Sequence, residues 1–115
     1  MKLPTEQLKN RVLNCSRDEE LRRLRATILE MHGCTVVSPN EPDDAILEMN
    51  SSRFDVLLLC YQLGTNAVKR LVDEFRRQFP GGKIVAIENG TLFGGCVPDV
   101  TVSAHAPAEM VRAVC

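Results

Sequence analysis

Short apolar runs alternate along this chain with longer segments in which apolar residues recur every three or four positions. The apolar runs are typical of buried strands and cover residues 11–15, 34–38, 55–60, 83–87 and 100–103. The longer segments are typical of amphipathic helices and cover residues 16–33, 43–50, 67–79 and 106–115. Strands that alternate with helices in this order predict a parallel sheet with helices on both faces.

The first helix has sequence signals for its start and for its buried face. Ser16 and Glu19 have the S-x-x-E spacing of a capping box, in which each side chain pairs with the amide of the other residue. Helical spacing predicts a buried stripe formed by Leu21, Leu24, Ile28 and Leu29. A solvated face is expected for the arginines that stand among acidic residues in this region, namely Arg22, Arg23 and Arg25.

The segment between the fourth and fifth strands, residues 88–99, is rich in glycine and has no helical stripe. It is expected to be too short for a full crossover helix. Leu92 and Phe93 in this segment are predicted either to cover the sheet face left open or to offer an apolar contact to a partner.

Composition and charge narrow the classes of partner. The 115 residues suffice for one domain with a core, which we divide into an N-terminal extension, residues 1–10, and a domain, residues 11–115. A net charge of -1 offers no basic field for nucleic acid. The apolar runs are too short to span a bilayer and no export signal is present, so a cytoplasmic protein without membrane contact is expected.

The cysteines argue against a metal site or a disulfide framework. They show no C-x-x-C pair, and their odd number cannot be paired fully within one chain; they are Cys15, Cys34, Cys60, Cys96 and Cys115. Without an export signal, the expected state is reduced thiols that act as small buried hydrophobic residues.

Several stretches are similar to the motifs of a known family. EMHGCTVV, residues 30–37, matches the E-x-x-G-Y-x-V-V run that ends the family's first helix, and the match continues without a gap through DDAILEM and FDVLLLC. Asp55 matches the acidic residue that often opens the family's third strand, and APAEMVRAV matches its final D-P-E-E-L-type helix. From Val12 to the C-terminus the chain therefore resembles the receiver domain of bacterial two-component response regulators.

The resemblance implies a fold. Receivers are single-domain, doubly wound α/β proteins with a parallel five-stranded sheet of flavodoxin-like strand order 2-1-3-4-5. They carry a helix between strands four and five, and the glycine-rich segment here implies that this helix is shortened or missing. Because that region of a receiver contacts partners, its output face is expected to differ.

The five positions that carry the family's phosphorylation chemistry are all replaced. The two acids that hold Mg²⁺ fall on Ser16 and Arg17, and the phosphoacceptor Asp falls on Cys60. The family's Thr or Ser falls on Glu88 and its Lys on Ser103. Mg²⁺ needs oxygen ligands, and a thiol cannot form an acyl phosphate. No catalytic residue, no metal and no other cofactor is therefore expected.

The resemblance thus implies a degenerate receiver, or pseudo-receiver, a non-catalytic module of two-component or phosphorelay signal transduction that acts through protein–protein interaction. The expected partner is a histidine kinase, another regulator or a second copy of the chain in a homodimer. Arg17 and Glu88 flank the former metal site, so an ion pair between them is a further hypothesis. A register that places Asp18 and Glu19 at the acid positions is the lesser alternative, because it breaks the gap-free match to Gly33.

Two other classes of function stay open. Cys15 and Cys60 end neighbouring strands at one sheet edge, so the alternative function is a thiol-based redox sensor on a receiver scaffold. Cys60 and His105 are candidates for the nucleophile and base of an enzyme, although no third group stands at a readable spacing. The distance between Cys15 and Cys60 tests the redox hypothesis, and the distance between Cys60 and His105 tests the enzyme hypothesis.

Overall fold

A computed structural model describes residues 10–88 and 98–115 of the chain. The strands in these ranges are β1 (Arg11–Cys15), β2 (Thr35–Val37), β3 (Val56–Cys60), β4 (Lys83–Glu88) and β5 (Val100–Ser103). The helices are α1 (Glu19–Met31), α2 (Pro42–Ser51), α3 (Thr65–Gln78) and α4 (Pro107–Val114), and a 3-10 turn, Tyr61–Leu63, precedes α3. Each predicted strand and helix is present, with ends that differ by a few residues.

The five strands form one parallel sheet in the order β2-β1-β3-β4-β5. This order confirms the α/β fold that the resemblance implied. Near the carboxyl ends of the strands, Cys15 is paired with Leu59, Cys60 with Ile87, and Glu88 with Ser103. Because parallel strands end at a common edge, these residues lie at the edge where such sheets bind ligands.

Side chains alternate between the two faces of the sheet. On one face, α2 and α3 cover a core that includes Leu57 and Leu59 of β3. On the other face, α1 and α4 cover a core that includes Val56 and Leu58. We call these the α2–α3 face and the α1–α4 face. No residue of β3 is more than 1% exposed, as expected for a central strand covered on both sides.

β5 is covered on one face only. Val102 is buried in the core of the α1–α4 face, whereas Thr101 and Ser103 point the other way and are exposed. The VTVS alternation is typical of a strand with one solvated face. The α2–α3 face therefore ends in polar residues at this edge of the sheet.

Part of the predicted output region lies outside the described residues. The helix between β4 and β5 is expected to be shortened or missing within residues 89–97, which also contain Leu92, Phe93 and Cys96. Residues 1–9 lie outside the described ranges as well. None of the helices in the described part of the chain is long and apolar enough to cross a membrane.

The N-terminus of α1 differs from the prediction. Asp18 is the N-cap, and its carboxylate accepts a hydrogen bond of 3.0 Å from the Leu21 amide. The capping box predicted from Ser16 is therefore wrong. Ser16 follows β1 directly and is buried, and its hydroxyl has no hydrogen-bond partner within residues 10–88 and 98–115.

The buried stripe of α1 is also displaced. It consists of residues three and four positions apart, namely Arg22, Arg25 and Leu29. Leu24 is 55% exposed instead. The prediction of a solvated arginine face is wrong for Arg22 and Arg25, which are each 7% exposed, and it holds for Arg23, which pairs with Glu19 at 2.7 Å.

Two side chains from the amino edge of the sheet cap the C-terminus of α4. Asn10 Nδ2 donates to the carbonyl oxygen of Val114 at 2.6 Å. Lys83 Nζ donates to the carbonyl oxygen of Ala113 at 2.6 Å. These bonds satisfy carbonyls that no helical amide can reach, so the last turn of α4 is fastened to the residue before β1 and to the first residue of β4.

Candidate functional site

The residues that the resemblance assigned to the receiver positions lie at the carboxyl edge of the sheet, and we call them together the strand-end site: Ser16, Arg17, Cys60, Glu88 and Ser103. Cys60 is 1% exposed and Ser16 is 3% exposed, whereas Arg17 and Ser103 lie in solvent. The end of β3 is therefore closed to solvent.

The Mg²⁺ ion of the receiver family does not fit the groups at the strand-end site. Mg²⁺ prefers carboxylate and phosphate oxygens in octahedral geometry, and Ser16 offers a single buried hydroxyl. Arg17 adds a positive charge and Cys60 adds a soft thiol. Within the described ranges, no cluster of three His, Cys, Asp or Glu residues has the arrangement of a metal site.

A buried polar network stands beside the strand-end site. Asn14 Nδ2 donates to the Arg22 carbonyl at 2.9 Å and to Ser38 Oγ at 3.1 Å. The Arg22 guanidinium donates to the Ser16 carbonyl at 2.8 Å and to Asn40 Oδ1 at 3.0 Å. The network joins β1, α1 and the loop after β2, so its hydrogen bonds hold these three segments together at this corner of the sheet edge.

The presence of Asn14 in an apolar strand was the sequence signal for this network. A buried amide must find partners, and Asn14 finds two for its nitrogen while its oxygen has none among the described residues. The burial of Arg22 could not be predicted in the same way, because a hydropathy scale assigns every arginine to the surface.

The hypothesis of an ion pair between Arg17 and Glu88 is wrong. Arg17 is exposed, and no ion pair joins these two residues. An exposed pair gains little over hydration of each charge, because water screens the attraction and the side chains lose freedom. Arg17 therefore stays in solvent.

Cys15 and Cys60 are close in register but are not paired. Both are free and buried. Cys15 belongs to the core of the α2–α3 face with Leu59, whereas strand alternation places Cys60 on the α1–α4 face with Leu58. Burial raises the pKa of the Cys15 thiol to about 12, against the opposing effect of the Arg22 charge. The structure thus separates the two thiols of the candidate redox pair by the sheet.

A disulfide joins two other cysteines. Cys34 and Cys115 are bonded with their Cα atoms 6.4 Å apart, across 81 positions of sequence. Cys34 opens the turn into β2 and is 5% exposed, and Cys115 follows α4 and is exposed. The expectation of reduced thiols throughout is wrong for this pair. α1 and α4 lie side by side on one face, which brings the end of α4 to the end of α1.

His105 lies in the turn after β5, where its amide donates to Ser103 Oγ at 3.1 Å. The side chain of His105 is exposed, while Cys60 is 1% exposed. A nucleophile must reach its substrate, so burial of Cys60 weighs against the enzyme hypothesis.

A cleft of about 680 Å³ lies at the amino edge of the sheet, opposite the strand-end site. The cleft is lined by Asp55, whose carboxylate accepts a hydrogen bond of 2.9 Å from the Arg11 amide and lies 3.8 Å from the Arg53 guanidinium. It is also lined by Lys83, whose ammonium group caps α4. These charged groups already serve the fold.

Comparison with known proteins identifies the fold. No protein family model matches the sequence, and no curated protein matches it. Solved structures of response regulator receiver domains match in three dimensions. A CheY-like receiver domain protein from Methanospirillum hungatei superposes with a TM-score of 0.74 at 15% identity, covering 90% of each chain.

Two longer proteins contain a similar unit. NtrX from Brucella abortus, solved in complex with ATP, matches 93% of this chain with a TM-score of 0.77 and 19% identity. A member of a family of streptococcal redox sensors that evolved from two-component response regulators matches 91% of this chain with a TM-score of 0.75 and 15% identity. This chain spans 26% of the former and 49% of the latter. At these identities the comparisons show a CheY-like receiver fold.

Proposed function

We propose that this chain is a pseudo-receiver, a cytoplasmic module of two-component or phosphorelay signal transduction that acts by binding a protein partner, without Asp phosphorylation and without Mg²⁺. The observation that carries the proposal is Cys60. It occupies the end of β3, where the receiver fold has its phosphoacceptor, and it is 1% exposed. A thiol there cannot accept a phosphoryl group as a carboxylate does.

An exposed apolar surface on α1 supports binding to a partner. Leu24 and Met31 are seven positions apart and therefore share one side of the helix, and they are 55% and 76% exposed. Large apolar side chains clustered on one helix side are costly in water and typical of interaction sites. We call Leu24 and Met31 the α1 apolar patch.

Incubation with acetyl phosphate and Mg²⁺, followed by intact mass, tests the first part. The native chain is expected to gain no phosphoryl adduct. The matched control carries Ser16→Asp, Arg17→Asp, Cys60→Asp and Ser103→Lys, which restore the acids, the acceptor and the cation of the receiver family. An adduct on the native chain would contradict the proposal and direct attention to Asp18 and Glu19.

Partner capture from cell extract tests the second part. A two-component protein, or a second copy of the chain, is expected to bind the native chain. This binding is expected to be lost in the double variant that carries Leu24→Lys and Met31→Lys. Thr27→Lys is the control, because Thr27 is also exposed on α1 and gains the same charge. Equal capture by the patch variant and the control would remove the patch from the proposal.

A second candidate function is favoured by the Cys34–Cys115 disulfide, namely a thiol switch on the receiver scaffold. One family of streptococcal redox sensors, evolved from two-component response regulators, has a member with a similar fold. Hydrogen peroxide would oxidise the exposed Cys115 thiolate to a sulfenic acid and release hydroxide, which takes up the proton lost by the thiol and becomes water. The Cys34 thiol would then attack that sulfur, form the S–S bond and release a second water, so that two thiols lose two electrons.

The thiol switch is tested on the fully reduced protein with mild peroxide, alkylation of the remaining thiols and peptide mapping. The expected product links Cys34 to Cys115, leaves Cys15 and Cys60 free, and returns to the reduced form with thioredoxin. The Cys115→Ser variant is expected to form no link. Thiols at positions 34 and 115 that survive peroxide able to oxidise free glutathione would exclude the switch.

A further inference from the structure

α1 buries a second guanidinium, that of Arg25, which is 7% exposed. Its Nη1 atom is fully buried and has no hydrogen-bond partner among the described residues. No carboxylate of the described residues forms an ion pair with it. Arg22 on the same stripe donates through both of its Nη atoms by contrast. Arginine cannot escape by losing its proton, so an unpaired buried guanidinium is costly to the isolated chain.

Arg25 lines a small groove between α1 and the start of α4. The groove has a volume of about 70 Å³ and is lined mainly by apolar side chains, with Ser103 at one end; among them are Leu21, Ile28, Ile87 and Met110. Its volume corresponds to two or three water molecules at about 30 Å³ each. The buried part of any ligand is therefore a head group and a few carbons.

The charges around the groove favour an anion. Pro107 at the first position of α4 lines it, so the positive end of that helix dipole is directed towards the groove. Glu109 does not line the groove; its exposed carboxylate accepts a hydrogen bond of 3.3 Å from the Ser103 amide. Glu88 belongs to the opposite face of the sheet by strand alternation and does not neutralise Arg25.

We propose that the groove between α1 and α4 binds a small carboxylate with a short aliphatic chain. The carboxylate pairs with the guanidinium of Arg25, since planar guanidinium and carboxylate groups form two parallel hydrogen bonds. The aliphatic carbons contact Leu21, Ile28 and Met110. An inorganic anion would leave this apolar wall uncovered, and a neutral apolar molecule would leave the guanidinium unpaired.

This site goes beyond the proposed function. It shares Leu24 with the α1 apolar patch, whereas Met31 does not line the groove. The two proposals have separate tests, because one measures binding of a small molecule at Arg25 and the other measures capture of a protein, so a failure of partner capture would leave the site untouched. Its failure would equally leave the pseudo-receiver proposal standing.

Sodium butyrate is the probe. The full chain is titrated at constant pH and ionic strength, and amide and methyl NMR shifts are followed. We expect saturable shifts at Ile28, Ile87 and Met110, with a dissociation constant of about 1 mM for so small a ligand. Butyramide has the same shape without the charge and is expected to bind at least roughly tenfold more weakly, because its amide leaves the guanidinium unpaired.

Variants assign the charge to one residue. Arg25→Gln is expected to weaken butyrate at least roughly tenfold, and Arg25→Lys to weaken it less, since a lysine keeps the charge without the fork of donors. Arg23→Gln is the matched control two positions away, exposed and paired with Glu19, and is expected to leave the affinity unchanged. Butyrate is also expected to raise the melting temperature of the native chain but not that of Arg25→Gln.

Three results would overturn the proposal. One is a shift that never saturates. Another is equal binding of butyrate, butyramide and inorganic phosphate, which would describe general solvent effects. The last is an unchanged butyrate affinity in Arg25→Gln, which would place the anion elsewhere.

Discussion

Cys15 shows how a single side chain can be chemically silenced by its position. It stands at the end of β1, within reach of the positive charge of Arg22, which favours the thiolate. Burial opposes this more strongly, because the thiolate would lose its hydration, and the pKa is raised to about 12. A sequence argument that places a cation near a cysteine therefore predicts the wrong direction when the sulfur points into a core.

The raised pKa gives Cys15 a signature in the pH dependence of stability. The thiol of the unfolded chain ionises near its ordinary pKa of 9.0, while the folded one stays protonated to about 12. The folded state therefore binds more protons in this window, and stability that is fully present below pH 9 is lost as the pH rises towards 12. The free energy of unfolding, measured with urea, should fall more steeply above pH 9 for the native chain than for Cys15→Ala. Parallel pH profiles of the two proteins would contradict the prediction.

The strand ends were predictable from the sequence, since Cys60 ends β3 and Ser103 ends β5 as the apolar runs indicated. The assignment of these two residues to receiver positions stays a prediction. The roles of the arginines were not readable, because burial of Arg22 depends on a carbonyl of Ser16 and an amide of Asn40 that only the folded chain brings together.

At the scale of elements, the end of α3 is shaped by aromatic packing. The rings of Phe75 and Phe79 pack at an interplanar angle of 53° with centroids 5.2 Å apart, and Phe79 meets Phe54 edge-on at 6.3 Å. The chain turns into β4 at Gly82, where a Cβ atom would stand 2.7 Å from the Phe75 ring. The glycine is therefore required by space at this turn.

Two neighbouring glycines test this packing. Gly82→Ala forces the buried Phe75 ring to move, and overpacking of this kind costs about 1–3 kcal/mol. At Gly81 a Cβ atom meets nothing within 4 Å, so Gly81→Ala should change the free energy of unfolding by less than about 0.5 kcal/mol. The measurement is urea unfolding of both variants, and equal losses would refute the steric explanation.

Elements were predictable where periodicity was strong and less so at their ends. The apolar runs predicted β3 and β4, and the apolar stripe with helical spacing predicted α3. The start of α1 was misplaced because Ser16 and Asp18 are both good cap residues, and the choice depends on where β1 stops. The stripe of α1 was displaced because two arginines fill positions that hydropathy assigns to leucine.

At the scale of the whole molecule, strand order followed from the resemblance, and the disulfide did not follow from spacing. Cysteine spacing detects local motifs, while Cys34 and Cys115 are 81 positions apart. Their approach depends on the arrangement of α1 and α4 on one face and on the capping of α4 by Asn10 and Lys83. Only the assembled fold places both sulfurs at the amino edge of the sheet.

Closing so long a loop should stabilise the molecule. The chain-entropy relation gives about 4.5 kcal/mol for a loop of this length. Reductant should therefore lower the urea midpoint of the native chain markedly. The double variant Cys34→Ser and Cys115→Ser should unfold at a low midpoint whether or not reductant is present. An unchanged urea midpoint of the native chain after addition of reductant would show that the disulfide adds no stability.

The same bond has a consequence for limited proteolysis. It closes residues 34–115 into a covalent ring, and the exposed turn at Pro80 and Gly81 lies within that ring. A protease that cuts the backbone at this turn opens the ring without releasing a fragment, because both pieces remain joined through sulfur. The nicked protein would therefore keep its full mass until a reductant separates it into two peptides.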